Sequence, residues 1–510
     1  MSRFVVFVLL AAMTALGTPA STSAPTDQAA LVTFNKDVLP ILQNNCQTCH
    51  RPGGIAPMSF LTYQSVRPWA KAIKAAVVSK QMPPWFADPH YGELRNAPKL
   101  TAANIQTLAS WADGGAREGD PADKPSAVQF TDGWRIKPDV VVSMPVAHVV
   151  PANGIGEIQS FFVPNPFKED TWVTSIEIRP GDPSVVHHVI VQIPEQQMKA
   201  VFHDVVNSAS VTVCADCTTD AQVQKVQKAF AAKPLVVNDF PTPPQGGSSY
   251  SDQLVRMRER MTGQGAFTTM EAVYAPGSSP LDFGFSNSAK LIRGGKPIRI
   301  EVHYTPNGKA TSDKTMVGFT LAKAPAQRRF VVMAPEHLVD IRKPIPAGEK
   351  NWETRGELTF NQDADLVWFM PHMHLRGKDM NFRLIYPDGR EETVLNAKFN
   401  FHWQLGYELA EPIKVTKGTR MVVTAHHDNS ANNPLNPSPE QAAVWGEMTS
   451  QEMMLPWFGV VVDRDSQPDR IASYRPGDFD GRPQGFPAKP GSAEGHVIPL
   501  VQPAILRTVK

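Results

Sequence analysis

From residue 135 onward the chain is cut into short runs in which apolar and polar residues alternate, separated by Pro and Gly. Residues 174–179, 185–193, 298–304, 366–370 and 421–424 are examples. A period of two is the signature of a strand with one buried face, and breakers this frequent leave little room for long helices. The 46 Pro in this chain of 510 residues act in the same direction, because Pro removes a backbone donor and interrupts helices and central strands alike. The region is therefore expected to form β-sandwiches, with a joint between two similar halves near residues 324–328. A hydrophobic share of 42% and a formal net charge of +1 exclude disorder and give no electrostatic reason to expect nucleic acid as a partner.

The N-terminus reads as an export signal. Met1-Ser2-Arg3 carries one positive charge, an apolar run covers residues 4–16, and small residues follow through Ala20 and Ala24, the expected cleavage positions. The run stops at Gly17, short of the ~20 apolar residues that span a bilayer. The mature protein is expected to be periplasmic or secreted, with residues 1–24 removed and no membrane span left.

The four Cys fall in two C-x-x-C pairs. The first reads Cys46-Gln47-Thr48-Cys49-His50, the attachment signature of a c-type haem: two thioether bonds hold the porphyrin and the adjacent His ligates the iron. Val38, Ile41, Leu42 and Cys46 recur at helical spacing before it. A second helix is expected at about residues 69–80. A third opens at Thr101 as N-cap, buries Ile105, Leu108 and Trp111, and stops at Gly114-Gly115. Residues 31–118 thus resemble a small class I cytochrome c. The resemblance implies a Met as sixth ligand, and Met82 matches that position, with Met58 as its rival. A plain disulfide between Cys46 and Cys49 is the other chemistry open to the pair. Cys214 and Cys217 have no following His, so they are read as a local disulfide, or else a redox-active or metal-binding pair, in an insertion with a short helix near 223–231. Residues 119–134 have a linker's composition.

Histidines cluster in the β region as His187-His188, His303, His372-Met373-His374 and His426-His427. Residues i and i+2 of a strand share a face, so His372 and His374 can reach one metal. In residues 298–304 the apolar face is Ile298, Ile300, Val302 and Tyr304, so His303 is expected to point away from the core towards an open site. His187 and His188 reach one metal only at a bend or strand end, since strand neighbours point to opposite faces.

The ordered set His187-His188, Tyr274-Ala275-Pro276-Gly277, Val302-His303-Tyr304, His372-Met373-His374 and Glu452-Met453 resembles the copper type II ascorbate-dependent monooxygenases, over about residues 135–465. That family includes the peptidylglycine hydroxylating enzymes and dopamine β-monooxygenase. The resemblance implies an electron-transfer copper on His187, His188 and His303, and an oxygen-binding copper on His372, His374 and Met453, with Met454 as the neighbouring thioether. A thioether favours Cu(I) and is unusual for zinc, the competing metal. Phe401-His402-Trp403-Gln404 and residues 428–434 also resemble segments of bacterial relatives, and turn chemistry accounts for them equally well. His426 and His427 are candidates for supporting the ligands or for structure alone.

The peptide-binding side chains of that family are replaced here by Met370, Leu455 and Trp457, which argues against a C-terminal glycine peptide as substrate. The expected architecture is multidomain: a small all-α cytochrome c domain (31–118), a linker (119–134) and two all-β, jelly-roll-like β-sandwich domains (135–325 and 326–510). The expected activity is hydroxylation of a C–H bond in a small organic substrate by O2, with two coppers and one covalent haem c. Electrons would come through the haem from an ascorbate-like reductant or redox protein, and fusion on one chain makes their delivery intramolecular. Catalysis would rest on His372, His374 and Met453. An electron-transfer or copper-binding protein without oxygenase chemistry is the alternative.

Overall fold

The computed structural model describes residues 31–52, 54–130, 133–154, 157–193, 211–213, 270–333, 343–445 and 449–475. The export signal, the pair Cys214 and Cys217, and the helix expected near 223–231 lie outside the described residues.

Short helices come first, at Leu39–Asn45, Tyr63–Val66, Ala70–Val78 and Ala102–Asp113. The last begins at Thr101, whose hydroxyl accepts from the Asn104 backbone N–H at 3.1 Å while the Asn104 side chain accepts from Thr101 N. This reciprocal cap satisfies two of the donors that a helix start leaves unpaired. Phe34, Leu42, Val66, Ile73, Leu108 and Trp111 close a small core between these helices.

The architecture departs from the expected cytochrome c domain followed by two sandwiches. Strand makes up 38% of the chain and helix 14%, and the described β region is laid out as four sheets in a propeller-like arrangement of four blades. Each sheet has four or five strands, and Thr311–Asp313 pairs with His148–Val150 in a two-stranded ribbon. Among the described residues the longest helix has 12 residues. Two packing facts underlie the correction. First, a single hydrophobic core joins residues on both sides of position 325, from Val189, Val302 and Phe319 to Val367, Trp368, Met453 and Trp457. Second, the segment between the third and fourth helices leaves the helical core and packs on the β region. Phe86 accepts from Lys398 N at 3.0 Å, Asp88 N donates to Asn396 O at 2.7 Å, and Arg95 N donates to Glu408 O at 2.9 Å. Residues 86–95 therefore form a strap across the edges of the strands Glu391–Lys398 and Tyr407–Val415. Alternation predicts which residues form strands, but the partner of each strand is a non-local choice made by packing.

Two sheets position the histidines. One runs Val211–Val213, Glu157–Val163, Ile298–Tyr304, Val186–Gln192, Met270–Tyr274. The other runs Arg328–Met333, Leu455–Asp463, Ala364–His372, Tyr407–Val415. Both contribute side chains to the shared core. Every residue of Ala364–His372 is buried, as expected of a strand covered on both faces.

Candidate metal centre

His187 and His188 converge because the strand carrying them is irregular. In its antiparallel pairing His303 faces His188, but the next pair is Tyr304 with Val186, so His187 is skipped. An extra residue of this kind is a β-bulge, which bends the strand and re-aims a side chain. The bulge turns both imidazoles to one side: their Nδ1 atoms are 3.1 Å apart. This is the bend that the sequence requires but does not mark.

Each ring is set by a second contact. His187 Nε2 donates to the Phe401 carbonyl at 2.7 Å, and the Phe401 ring stacks on the imidazole at 4.3 Å. That bond assigns the proton to Nε2 and leaves Nδ1 with the lone pair. The 3.1 Å separation of the two ring nitrogens matches the bite of two imidazoles on an ion bound at ~2 Å. His303 Nε2 meets the Thr449 hydroxyl at 3.1 Å, while its Nδ1 is buried without a hydrogen-bond partner. An orphaned buried nitrogen is costly unless something binds it. Together, His187, His188 and His303 offer ring nitrogens that all lie within 4.8 Å of one another.

His303 differs from expectation in one respect. It does turn away from the apolar face of its strand, but it is only 3% exposed. The Thr449 segment of the second half covers that side of the sheet, so the site is closed where alternation alone suggests an open one.

The second ligand set adjoins the first. The rings of His372 and His188 lie 5.5 Å apart, those of His372 and His374 5.4 Å apart. His372 Nδ1 meets Gln404 Oε1 at 2.5 Å and the ring stacks on Trp457 at 4.8 Å. His374 Nδ1 meets the Gln451 carbonyl at 3.2 Å. Both contacts direct the proton to Nδ1 and make Nε2 the ligating nitrogen. Five imidazoles therefore gather in one buried region. Burial lowers the His187 pKa to about 4 and holds His188 and His303 well below the usual value; the neighbouring imidazoles push the same way. Rings that resist protonation are ready to ligate a cation.

Strand register explains the place of Met453. Met370, Pro371 and His372 pair with Trp457, Pro456 and Leu455 in turn. Continued past the last pair, that register sets His374 opposite Met453, on the same face as His372. Met453 accordingly lies in the shared core with Met370, Leu455 and Trp457, whereas Met454 and Met373 fall in the core on the other side of the sheet. Between the two backbones sits Glu452, fully buried, its carboxyl raised to about 7 by burial against the pull of Arg376 and of backbone N–H groups.

Gln404, Phe401, Thr449 and Glu452 are the site residues that reasoning from spacing does not assign a role. Only their sequence neighbours, the Phe401–Gln404 segment and the Glu-Met pair, give a signal. His427 Nε2 donates to the Met453 carbonyl at 3.3 Å, so it supports a candidate ligand; His426 faces the other way, onto Asp379 at 2.6 Å.

At the first C-x-x-C, both thiols are unpaired and half-buried, with burial raising the Cys46 thiol to about 12. His50 keeps a buried Nδ1 without a hydrogen-bond partner, and Phe60 lies flat against its ring at 4.1 Å. Met58 and Cys46 both pack against the helical core, whereas Met82 is half-buried outside that cluster, its N–H donating to Ala76 O at 3.2 Å. The cysteines and His50 are chemically free to hold a haem. The case for haem rests on the motif, because the surrounding structure adds no porphyrin-shaped feature of its own.

Among the described residues, no helix is long and apolar enough to cross a membrane. The chain matches no protein-family model and no curated protein. A solved structure titled "Structure of PNGF-II in C2 space group" is similar at 10% identity and a TM-score of 0.23. The match covers 64% of this chain and 65% of that one, so the chain spans just under two thirds of that structure. The likeness is too slight to carry an argument about fold or chemistry.

Proposed function

We propose that this protein is an exported copper-dependent monooxygenase that hydroxylates a C–H bond of a small organic substrate with O2. The observation that carries the reading is the convergence of five buried imidazoles, drawn from two strands and the end of a third, with the register placing Met453 on the same face as His374. His187, His188 and His303 would hold one copper, and His372, His374 and Met453 the other. Neutral imidazoles with a thioether suit copper in both oxidation states better than zinc. Bound copper would supply the redox chemistry that activates O2, at a demand of two electrons and two protons per turnover.

The chain's own residues have definable parts in this. Phe401, Gln404 and Gln451 fix the ring tautomers, and Trp457 braces His372 on its face. Met370, Leu455 and Trp457 make the neighbourhood apolar, which suits a weakly polar substrate and excludes water. A haem on Cys46, Cys49 and His50, with Met82 or Met58 as the far ligand, would deliver electrons.

The depth of burial, at most 7% exposure for any of the five rings, favours a second reading: a copper-binding electron-transfer protein that admits no organic substrate. Copper and iron are counted in the purified exported protein, and O2 uptake is followed with a reductant and a panel of apolar substrates. About two coppers per chain with substrate-dependent uptake supports the monooxygenase. Copper without substrate-dependent uptake leaves the second reading, and a chain that retains no copper overturns both.

A further inference from the structure

The geometry points to Glu452 as a positioning residue that brings the Met453 thioether and the His374 imidazole onto the same metal. The inference rests on the copper reading above and extends it to a residue that is not itself a ligand.

The regular ladder between Ala364–His372 and Leu455–Asp463 ends at the pair His372 and Leu455. The candidate ligands His374 and Met453 lie two residues beyond that last pair on each side. One carboxylate reaches both. Glu452 Oε2 accepts from the backbone N–H of His374 at 3.1 Å and from that of Met453 at 3.3 Å, and Oε1 accepts from Arg376 N at 2.6 Å. A single fully buried side chain thus ties together the backbones of both ligands.

The carboxylate is itself anchored. The Arg376 guanidinium lies 4.0 Å away and is fixed by Asn429 Oδ1 at 2.7 Å and Ser450 O at 2.8 Å. The Met453 carbonyl is held from the other end by His427 Nε2. Charge-assisted hydrogen bonds are stronger and shorter than neutral ones. Only an acceptor with two oxygens satisfies all three N–H groups without presenting a donor to any of them. Metal ligands generally depend on outer contacts of this kind for their orientation.

The test is X-ray absorption at the copper edge of the full-length, Cu(I)-loaded protein, comparing wild type with Met453→Leu and Glu452→Gln. The wild type is expected to show one sulfur scatterer beside the imidazole shell, and Met453→Leu to lose it. A wild type without sulfur, or a Met453→Leu variant that keeps it, overturns the ligand assignment on which the inference rests. With that assignment standing, Glu452→Gln is expected to lose the sulfur scatterer, keep the imidazoles of the first triad, and bind Cu(I) about 10- to 100-fold more weakly at the second set. A full sulfur shell in Glu452→Gln overturns the positioning role. Loss of both shells together marks a merely structural residue and overturns it as well. Should Glu452→Gln fail to fold, Glu452→Asp keeps the charge but shortens the reach, and an unchanged sulfur shell there is equally decisive against it.

Discussion

His187 and His188 present their Nδ1 atoms to each other at 3.1 Å, although they are consecutive residues of one strand. The bulge at His187 makes this possible, and the candidate centre depends on it. Replacing either residue by Ala should weaken copper retention by more than the roughly 10- to 100-fold of an outer-contact change. His148→Ala is the control, since His148 is also buried but stacks on Tyr304 at 4.7 Å, away from the cluster. Chelator competition on the three variants checks this; equal retention in all of them would remove the triad from the reading.

Gln404→Leu should separate the two ligand sets. It deletes the acceptor of His372 Nδ1, and leaving a buried donor unsatisfied costs roughly 1–3 kcal/mol. Thermal unfolding of the metal-free protein should register that loss. Copper binding should weaken at the His372 set while the His187 set is unaffected, so a titration that is uniform in the wild type should become biphasic.

Acid should destabilise the metal-free protein over a definite window. His187 and His427 have folded values of about 4, and His188 and His303 are lower than the usual 6.5 by a wide margin, all chiefly through burial. The unfolded chain takes up these protons below about 6.5, whereas in the folded chain His187 and His427 do so only near about 4 and His188 and His303 only well below the usual value. Their contribution to stability is therefore complete above 6.5 and is lost as pH falls towards 4. Glu452 works in the opposite sense, because its folded value of about 7 lies above its ordinary 4.5 and its proton is bound more readily in the folded state. Four imidazoles outweigh one carboxyl, so the midpoint temperature should fall steadily between pH 6.5 and 4. A flat profile would contradict their burial as neutral rings.

The strap is a further test. Trp85 meets Tyr407 edge to face at 5.1 Å, where the strap begins to cross the sheet edges. Trp85→Ala should remove about 0.5–1.5 kcal/mol from that aromatic pair, before any loss of packing. Hydrogen exchange should then quicken at the amides of Asp88 and Arg95, which donate across the strap, while the amide of His50 stays protected.

Much of the local structure was legible in the sequence. The strands Val186–Gln192 and Ile298–Tyr304 lie within a residue of the runs at 185–193 and 298–304, because strand-length runs rich in Val and Ile are a local signal. Thr101 was legible as a cap for the same reason. The sharing of one face by His372 and His374 follows from a spacing of two. The arrangement of the sheets was not legible, since it depends on which distant strand pairs with which. Nor was the closure of the site over His303, which comes from Thr449, far along the chain. A bulge has no sequence signature at His187, and the hold of Gln404 on His372 spans 32 positions. Contacts of that kind are decided by three-dimensional packing, and no periodicity encodes them.

The continuity of the core across position 325 bears on how the molecule can be taken apart. Nine of its members, Phe330, Val332, Val367, Trp368, Met370, Met453, Leu455, Trp457 and Val461, come from the second half and are almost completely shielded from water. Returning side chains of this size to solvent costs about 1.5–3 kcal/mol each, which together rivals the whole folding stability of an ordinary domain. Either half synthesised alone would carry that oily face uncovered and half of the imidazoles without their companions. Two fragments produced in the same cell would have each other as the only adequate cover, so the metal-binding histidines would be reassembled by the same association that restores solubility.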